Sequence, residues 1–234
     1  MQQPTSKASF DPIALAAPMA WRSAPETCEV DPQTGTRCDW YHGLWLYLRL
    51  FGINNSLNRQ APQYDETFRR LAITGQHDRV LISGGADYLM AAIVLNAYRD
   101  QGAALDLTVL DRCETPLTLN RWYAERSGSV LQTVRADMST FQAARAFDVI
   151  WAHYFLHFVD RRQWPAVIAA WHDALRPGGK LLMVNSLGLS APEGPINATR
   201  WPRGIVSVMS RNSRFVPISW PTPAKSISDA GAIM

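Results

Sequence analysis

From residue 79 onward, short apolar runs alternate with longer segments whose apolar residues recur on one side. The run Arg79-Val-Leu-Ile-Ser83 reads as a buried strand that stops at Gly84-Gly85. Residues 87–100 then carry the helical period, with apolar positions gathered on one face. A second strand spans 105–110 and ends at Asp111, and a helix follows over 115–126. Residues 130–134, 147–152 and 180–184 read as three further strands. The last is preceded by a helix over 161–175 that Pro177-Gly178-Gly179 stops. Short apolar strands in alternation with helices predict a parallel sheet covered on both faces. The expected fold is α/β, a Rossmann-like doubly wound and mostly parallel sheet. Ligands of such sheets bind at the carboxyl ends of the strands, near the reversal in strand order.

The flanks lack this alternation. Residues 1–39 are rich in proline and weakly periodic, which predicts an extended arm or a disordered tail. Residues 40–51 (WYHGLWLYLRLF) read as a helix with Tyr41, Leu44, Trp45, Tyr47 and Leu48 on a broad apolar face, ended by Gly52, Asn54 and Asn55. A second helix is expected over 64–73. Residues 188–234 are proline-rich and show no strand–helix pattern. The chain thus divides into an arm (1–39), N-terminal helices that serve as lid or docking surface (40–76), a Rossmann domain (77–187) and an irregular tail (188–234).

Composition narrows the functional classes. The chain has 234 residues and a formal charge of +3, too small a charge to point to nucleic acid. The tail holds Arg200, Arg203, Arg211, Arg214 and Lys225 against Glu193 and Asp229, so the excess of positive charge lies there. No apolar run has the length of a membrane span, and the first ten residues lack the order of a secretory signal. A cytoplasmic location is the expectation. Cys28 and Cys38 flank a turn-rich segment and are either reduced loop thiols or, in an oxidising compartment, a disulfide; Cys113 stands apart. No cysteines and histidines are spaced as in a zinc motif, so no metal is expected. Of nine tryptophans, Trp21, Trp40, Trp45, Trp201 and Trp220 lie in the flanks, where exposed aromatics would mark a protein partner or ligand surface.

Candidate chemistry follows the strand ends. Gly84-Gly85-Ala86 permits a tight turn and close approach of backbone to a ligand. Asp111 ends the second strand, where a carboxylate can accept hydrogen bonds from both hydroxyls of a ribose. Asp137 follows the third strand and can accept an exocyclic amine, with Met138 beside it for the ring. Together VLISGGADY (80–88), LTVLDRCETPL (107–117), RADM (135–138), FDVIWAHYFLHF (147–158) and ALRPGGKLLMV (174–184) make the chain resemble class I S-adenosylmethionine (SAM)-dependent methyltransferases, with a degenerate glycine motif. The resemblance covers a little under half of the chain. It implies bound SAM and methyl transfer. By matched position, Gly84 and Ala86 would line the methionine portion, Asp111 the ribose, Arg112 the adenosine and Asp137 with Met138 the adenine. His153 would sit near the transferred methyl. Asp87 is the candidate to replace the acid that the family carries near the end of its first strand, where this chain has Ile82. The resemblance also implies a closing helix and hairpin after the fifth strand. Their pattern is missing from 188–234, so the sheet is expected to lack its C-terminal strands and to present an edge that the tail or a partner covers.

Two functions remain open on the sequence. One is a SAM-dependent methyltransferase acting on a small molecule, with the acceptor beneath the 40–51 helix. The other is a non-catalytic methyltransferase-like accessory subunit of a larger assembly, with peripheral membrane contact through the apolar helix and basic tail as a variant. A nicotinamide dehydrogenase is disfavoured, because Leu89 stands where G-x-G-x-x-G needs its last small residue. His153 and His157, read as one helical turn apart, either flank the acceptor as general base candidates or simply pack.

Overall fold

The computed structural model describes residues 11–30, 35, 37–54 and 56–185, and the backbone of two further strands at 205–210 and 216–218. The sheet runs β3-β2-β1-β4-β5-β6-β7. Its strands are β1 (Arg79–Ser83), β2 (Asp106–Asp111), β3 (Gln132–Arg135), β4 (Phe147–His153), β5 (Leu175–Asn185), β6 (Ile205–Ser210) and β7 (Val216–Ile218). The first five are parallel, and strand order reverses beside β1, which lies between β2 and β4. This is the Rossmann-like α/β core that the alternation predicted.

The two-residue period of the strands separates the core into two layers. Val80, Ile82, Val109, Val149 and Trp151 face α3 (Ser56–Thr74), α4 (Leu89–Asp100) and α5 (Glu114–Ser127). Leu81, Leu110, Ile150 and Leu181 face α6 (Trp164–Ala174), whose Trp171 is fully buried. On that side the buried Ser83 hydroxyl accepts the Trp171 ring N–H at 3.0 Å. On the other, Trp151 of β4 packs between Tyr64 and Phe68 of α3.

The structure departs from the sequence reading at both ends. Within the expected arm, Ile13–Thr27 forms α1, although Pro18 and Pro25 lie inside it. Its buried Ala16, Ala20 and Ala24 repeat every four residues and form a narrow stripe. That stripe lets α1 lie close to α2 (Asp39–Leu50): a Cβ on Gly43 would meet the Trp21 ring at 3.4 Å. Close packing of small residues outweighs the destabilising effect of the prolines here. Within the tail, β6 pairs antiparallel with β5, and β7 with β6. The edge of the fifth strand is thus covered by the chain's own residues, and the expected lack of C-terminal strands is corrected. Trp201 and Trp220 lie outside the described residues.

α2 is held over the carboxyl edge of the sheet by charge. Arg49 near its end donates to Asp87 Oδ2 at 2.6 Å, and both side chains are almost wholly buried, at 2% and 3% exposure. The Trp45 ring N–H donates to the same oxygen at 2.7 Å, and Arg49 reaches Asp11 at 3.3 Å. Asp87 Oδ1 accepts the Leu89 N–H at 2.6 Å and so caps α4. Removing one member of a buried pair strands the other charge. Arg49→Ala is therefore expected to cost about 3–5 kcal/mol in urea unfolding, and Arg49→Met with Asp87→Leu distinctly less, because no charge is then left alone.

Candidate functional site

β1 and β2 end side by side, with Ser83 opposite Leu110. The turns that leave them are tied together. The Gly84 N–H donates to the Leu110 carbonyl at 2.8 Å, and the Gly85 N–H to Asp111 Oδ2 at 3.2 Å. Gly84 has φ +76°, and a Cβ there would lie 2.3 Å from the Phe155 ring. Glycine is thus required twice, by the left-handed backbone and by the ring seated on it. The glycine turn and the strand-end carboxylate converge on one point at the strand-order reversal, as expected.

Asp111 is half-buried, and its Oδ1 accepts the Cys113 N–H at 2.8 Å. Burial pushes its carboxyl up to about 6, although the backbone N–H groups of Cys113 and Gly85 oppose this. The carboxylate accepts the N–H groups of Cys113, Gly85 and Arg112, and its lone-pair sites leave room for a ligand donor as well. The Ala136 N–H donates to the Asp111 carbonyl at 3.1 Å, which brings the Asp137 loop alongside. Arg112 is half-buried between them, and its carbonyl accepts Arg135 Nε at 3.4 Å. Ala86 is half-buried on the glycine turn.

Two expected site residues, Asp87 and Met138, are buried in structural roles, and Asp137 makes a local turn through one of its oxygens. Asp87 is buried with both oxygens engaged, so it anchors α2 and α4 and offers no face to a ligand. The reason is tertiary: only the fold brings Arg49 to it. Met138 is 1% exposed and its side chain packs with Leu81, Leu110 and Ile150, in the core and not on an open face. Asp137 closes on itself, with Oδ1 accepting both the Ser139 N–H at 2.8 Å and its hydroxyl at 2.7 Å.

His153 ends β4, with Nδ1 3.0 Å from the Tyr64 hydroxyl, and burial pushes its imidazole down to about 3. His157 is not one turn along the same helix. Tyr154 takes φ +52°, and His157 lies in a short 3-10 turn, Phe155–Phe158. Burial lowers its imidazole too.

Aromatic residues border the site, and of these Phe155 and Phe158 were not singled out in the sequence. Phe155 sits on Gly84 and packs 5.7 Å from the Trp171 ring. Phe158 meets Tyr41 of α2 at 5.0 Å, and Tyr41 in turn meets Trp45 at 5.2 Å. Burial raises the Tyr41 hydroxyl, with the Asp87 and Asp111 carboxylates adding to the effect. Tyr88 points away, stacked on Tyr123 at 4.9 Å. Trp21 and Trp40 are exposed, as expected of flank aromatics, whereas Trp45 is engaged by Asp87.

The cysteines take the reduced form, one of the two readings that the sequence left open. No disulfide links Cys28 and Cys38; all three cysteines are free. The fold brings Cys28, Cys38 and Cys113 together with His42, so that their ligand atoms all lie within 4.8 Å of one another. The expectation of no metal-ligating set rested on spacing along the chain, and two of these residues, Cys28 and Cys113, are far apart in sequence.

The family described as methyltransferase domain matches residues 91–179. No curated protein matches the chain. Solved structures similar to it include the N-methyltransferase NodS from Bradyrhizobium japonicum WM9 in complex with S-adenosyl-L-homocysteine, at 20% identity, 53% of this chain, 61% of that chain and TM-score 0.44. A putative sarcosine dimethylglycine methyltransferase from Galdieria sulphuraria aligns at 18% identity, over 53% of this chain and 46% of that chain, with TM-score 0.43. A putative methyltransferase from Bacillus halodurans C-125 aligns at 20% identity, over 56% and 52%, with TM-score 0.42. The chain thus spans about half to three fifths of the length of these proteins. Asp111, Arg112, Asp137, Met138 and His153 lie inside the matched stretch, and the glycine turn lies just before it. Residues 91–179 therefore match the methyltransferase-domain family, on a Rossmann-like core whose parallel strands run β3-β2-β1-β4-β5.

Proposed function

We propose that the chain binds SAM across the carboxyl ends of β1, β2 and β3 and transfers its methyl group to a small-molecule acceptor. The observation that carries this reading is the contact between the Gly85 N–H and the Asp111 carboxylate at the strand-order reversal. In this reading the Gly84–Ala86 backbone holds the methionine end and Asp111 accepts the ribose hydroxyls. Arg112 lies along the adenosine, and the Asp137 loop with the Met138 backbone faces the adenine edge. The acceptor enters beneath α2, where Tyr41 and Phe158 meet, and beside His153. SAM supplies a methyl group on a sulfonium, a transfer that needs alignment more than a base. In this reading His153, which contacts Tyr64 and whose basicity burial lowers, packs and is not called on as general base.

One observation favours the rival reading of a non-catalytic methyltransferase-like subunit. The Phe155 ring lies against Gly84, on the side where the methionine end of SAM would run. If the ring walls that space, the site is competent; if it fills it, the fold is retained without the chemistry.

Calorimetry separates the two. The wild-type protein is expected to bind SAM with micromolar affinity, and Asp111→Ala to weaken it by roughly 10- to 100-fold, the loss of one or two hydrogen bonds to a charged group. Phe155→Ala is expected to leave SAM binding in place. Binding gained only in Phe155→Ala would establish the rival reading.

The packing role of His153 has its own readout. Its imidazole is held near 3 in the folded protein against an ordinary 6.5, so between these values the unfolded chain binds the extra proton. Stability therefore falls on acidification below pH 6.5, by at most about 1.4 kcal/mol per pH unit from this group. Urea unfolding of His153→Gln at pH 5 and pH 7 is expected to show a shallower decline than the wild type.

A further inference from the structure

The four residues gathered outside the proposed SAM site come from three places along the chain. Cys28 follows the end of α1, Cys38 precedes α2, His42 lies in the first turn of α2, and Cys113 precedes α5. Cys28 Sγ lies 3.1 Å from His42 Nδ1, and Cys38 Sγ lies 3.1 Å from Cys113 Sγ. Cys28, His42 and Cys113 are buried, and Cys38 is half-buried.

We propose that Cys28, Cys38, His42 and Cys113 form a closed tetrahedral zinc site that staples the α1–α2 pair to the turn between β2 and α5. Zinc–sulfur bonds of about 2.3 Å and zinc–nitrogen bonds of about 2.0–2.1 Å separate tetrahedral neighbours by roughly 3.4–3.8 Å. The present separations, from 3.1 Å to no more than 4.8 Å, surround that range, so small side-chain rotations complete the site. Three soft thiolates and one imidazole select zinc over harder cations. With four protein ligands no coordination position remains for substrate, so the role is structural.

The surroundings suit the ion. The Thr115 hydroxyl lies 3.4 Å from Cys28 Sγ and 2.6 Å from the Thr27 hydroxyl, an outer contact that orients the sulfur. Zinc with three thiolates has a net charge of −1, and the positive field of Arg112 reaches Cys38 and His42. On binding, each thiol gives its proton to solvent and forms a sulfur–metal bond, with no change of oxidation state. Glu29, one residue beyond Cys28, pairs with Arg135 across the same junction. Cys113 is two residues from Asp111 and donates its N–H to that carboxylate, so the staple would also fix the turn that carries the SAM-site acid.

The test uses the full chain, purified in reductant without chelator. Elemental analysis is expected to find one zinc per chain. Replacing zinc by cobalt(II) is expected to give the intense visible bands of tetrahedral thiolate coordination, with both signals lost in Cys38→Ser. The wild-type cobalt spectrum decides the matter even where that variant folds poorly. Thr115→Val, which keeps all four ligands, is expected to weaken zinc binding by about 10-fold. A protein that is metal-free, takes up neither zinc nor cobalt and shows three reactive thiols would overturn the proposal. So would a chain mass lower by two hydrogens, which marks a disulfide in place of the metal. Neither result touches SAM binding, which is measured separately.

Discussion

Arg49 places a guanidinium inside the protein, and the carboxyl edge of the sheet is organised around its counter-charge. Asp87 supplies that charge, and Asp87 can do so only because the turn after β1 holds it there, capping α4 with its other oxygen. Leaving a buried charge without a partner is far more costly than breaking any neutral hydrogen bond nearby. The ion pair therefore makes the position of α2 and the shape of the β1–α4 turn one problem with one solution. Trp45 and Asp11 complete the hydrogen bonding, so α1, α2 and α4 meet at a single point.

That constraint decides what the site edge looks like. With α2 fixed, Tyr41 lies against Phe158, and the segment after β4 is closed under the helix. The left-handed Tyr154 turns the chain sharply at the end of β4 and sends Phe155 onto Gly84. The edge combines a hydrogen-bonded acidic rim at Asp111 with an aromatic wall of Phe155, Phe158 and Tyr41. Burial lowers the imidazole of His153 at the end of β4.

The matched family stretch begins within α4, after the glycine turn, and ends in β5. Outside it lie the glycine turn, the α1–α2 pair and three of the four members of the cysteine–histidine cluster. Cys113 is the link, since it sits inside the matched stretch while Cys28, Cys38 and His42 sit outside it. The cluster and the ion pair hold the same two helices from different ends, one at the start of α2 and one near its close.

The sequence determined the parallel core by itself. Apolar strand runs and helical periods are local patterns, and the two-residue and 3.6-residue repeats suffice to set which faces meet. It also determined that Gly84 and Asp111 would share the strand-order reversal, because both positions follow from strand ends. Only the tertiary structure decided the rest. Asp87 became an anchor through Arg49, which is 38 residues away in sequence. Residues 13–27 became a helix despite two prolines, because an alanine stripe found a close neighbour. The edge of β5 found its partner in β6 only through strand pairing, which joins segments that the proline-rich stretch gave no repeating pattern to connect. The ligand cluster is the limiting case. Cys38 and His42 are neighbours at the start of one helix, but only the fold brings Cys28 and Cys113 to them, and spacing along the chain is silent about that.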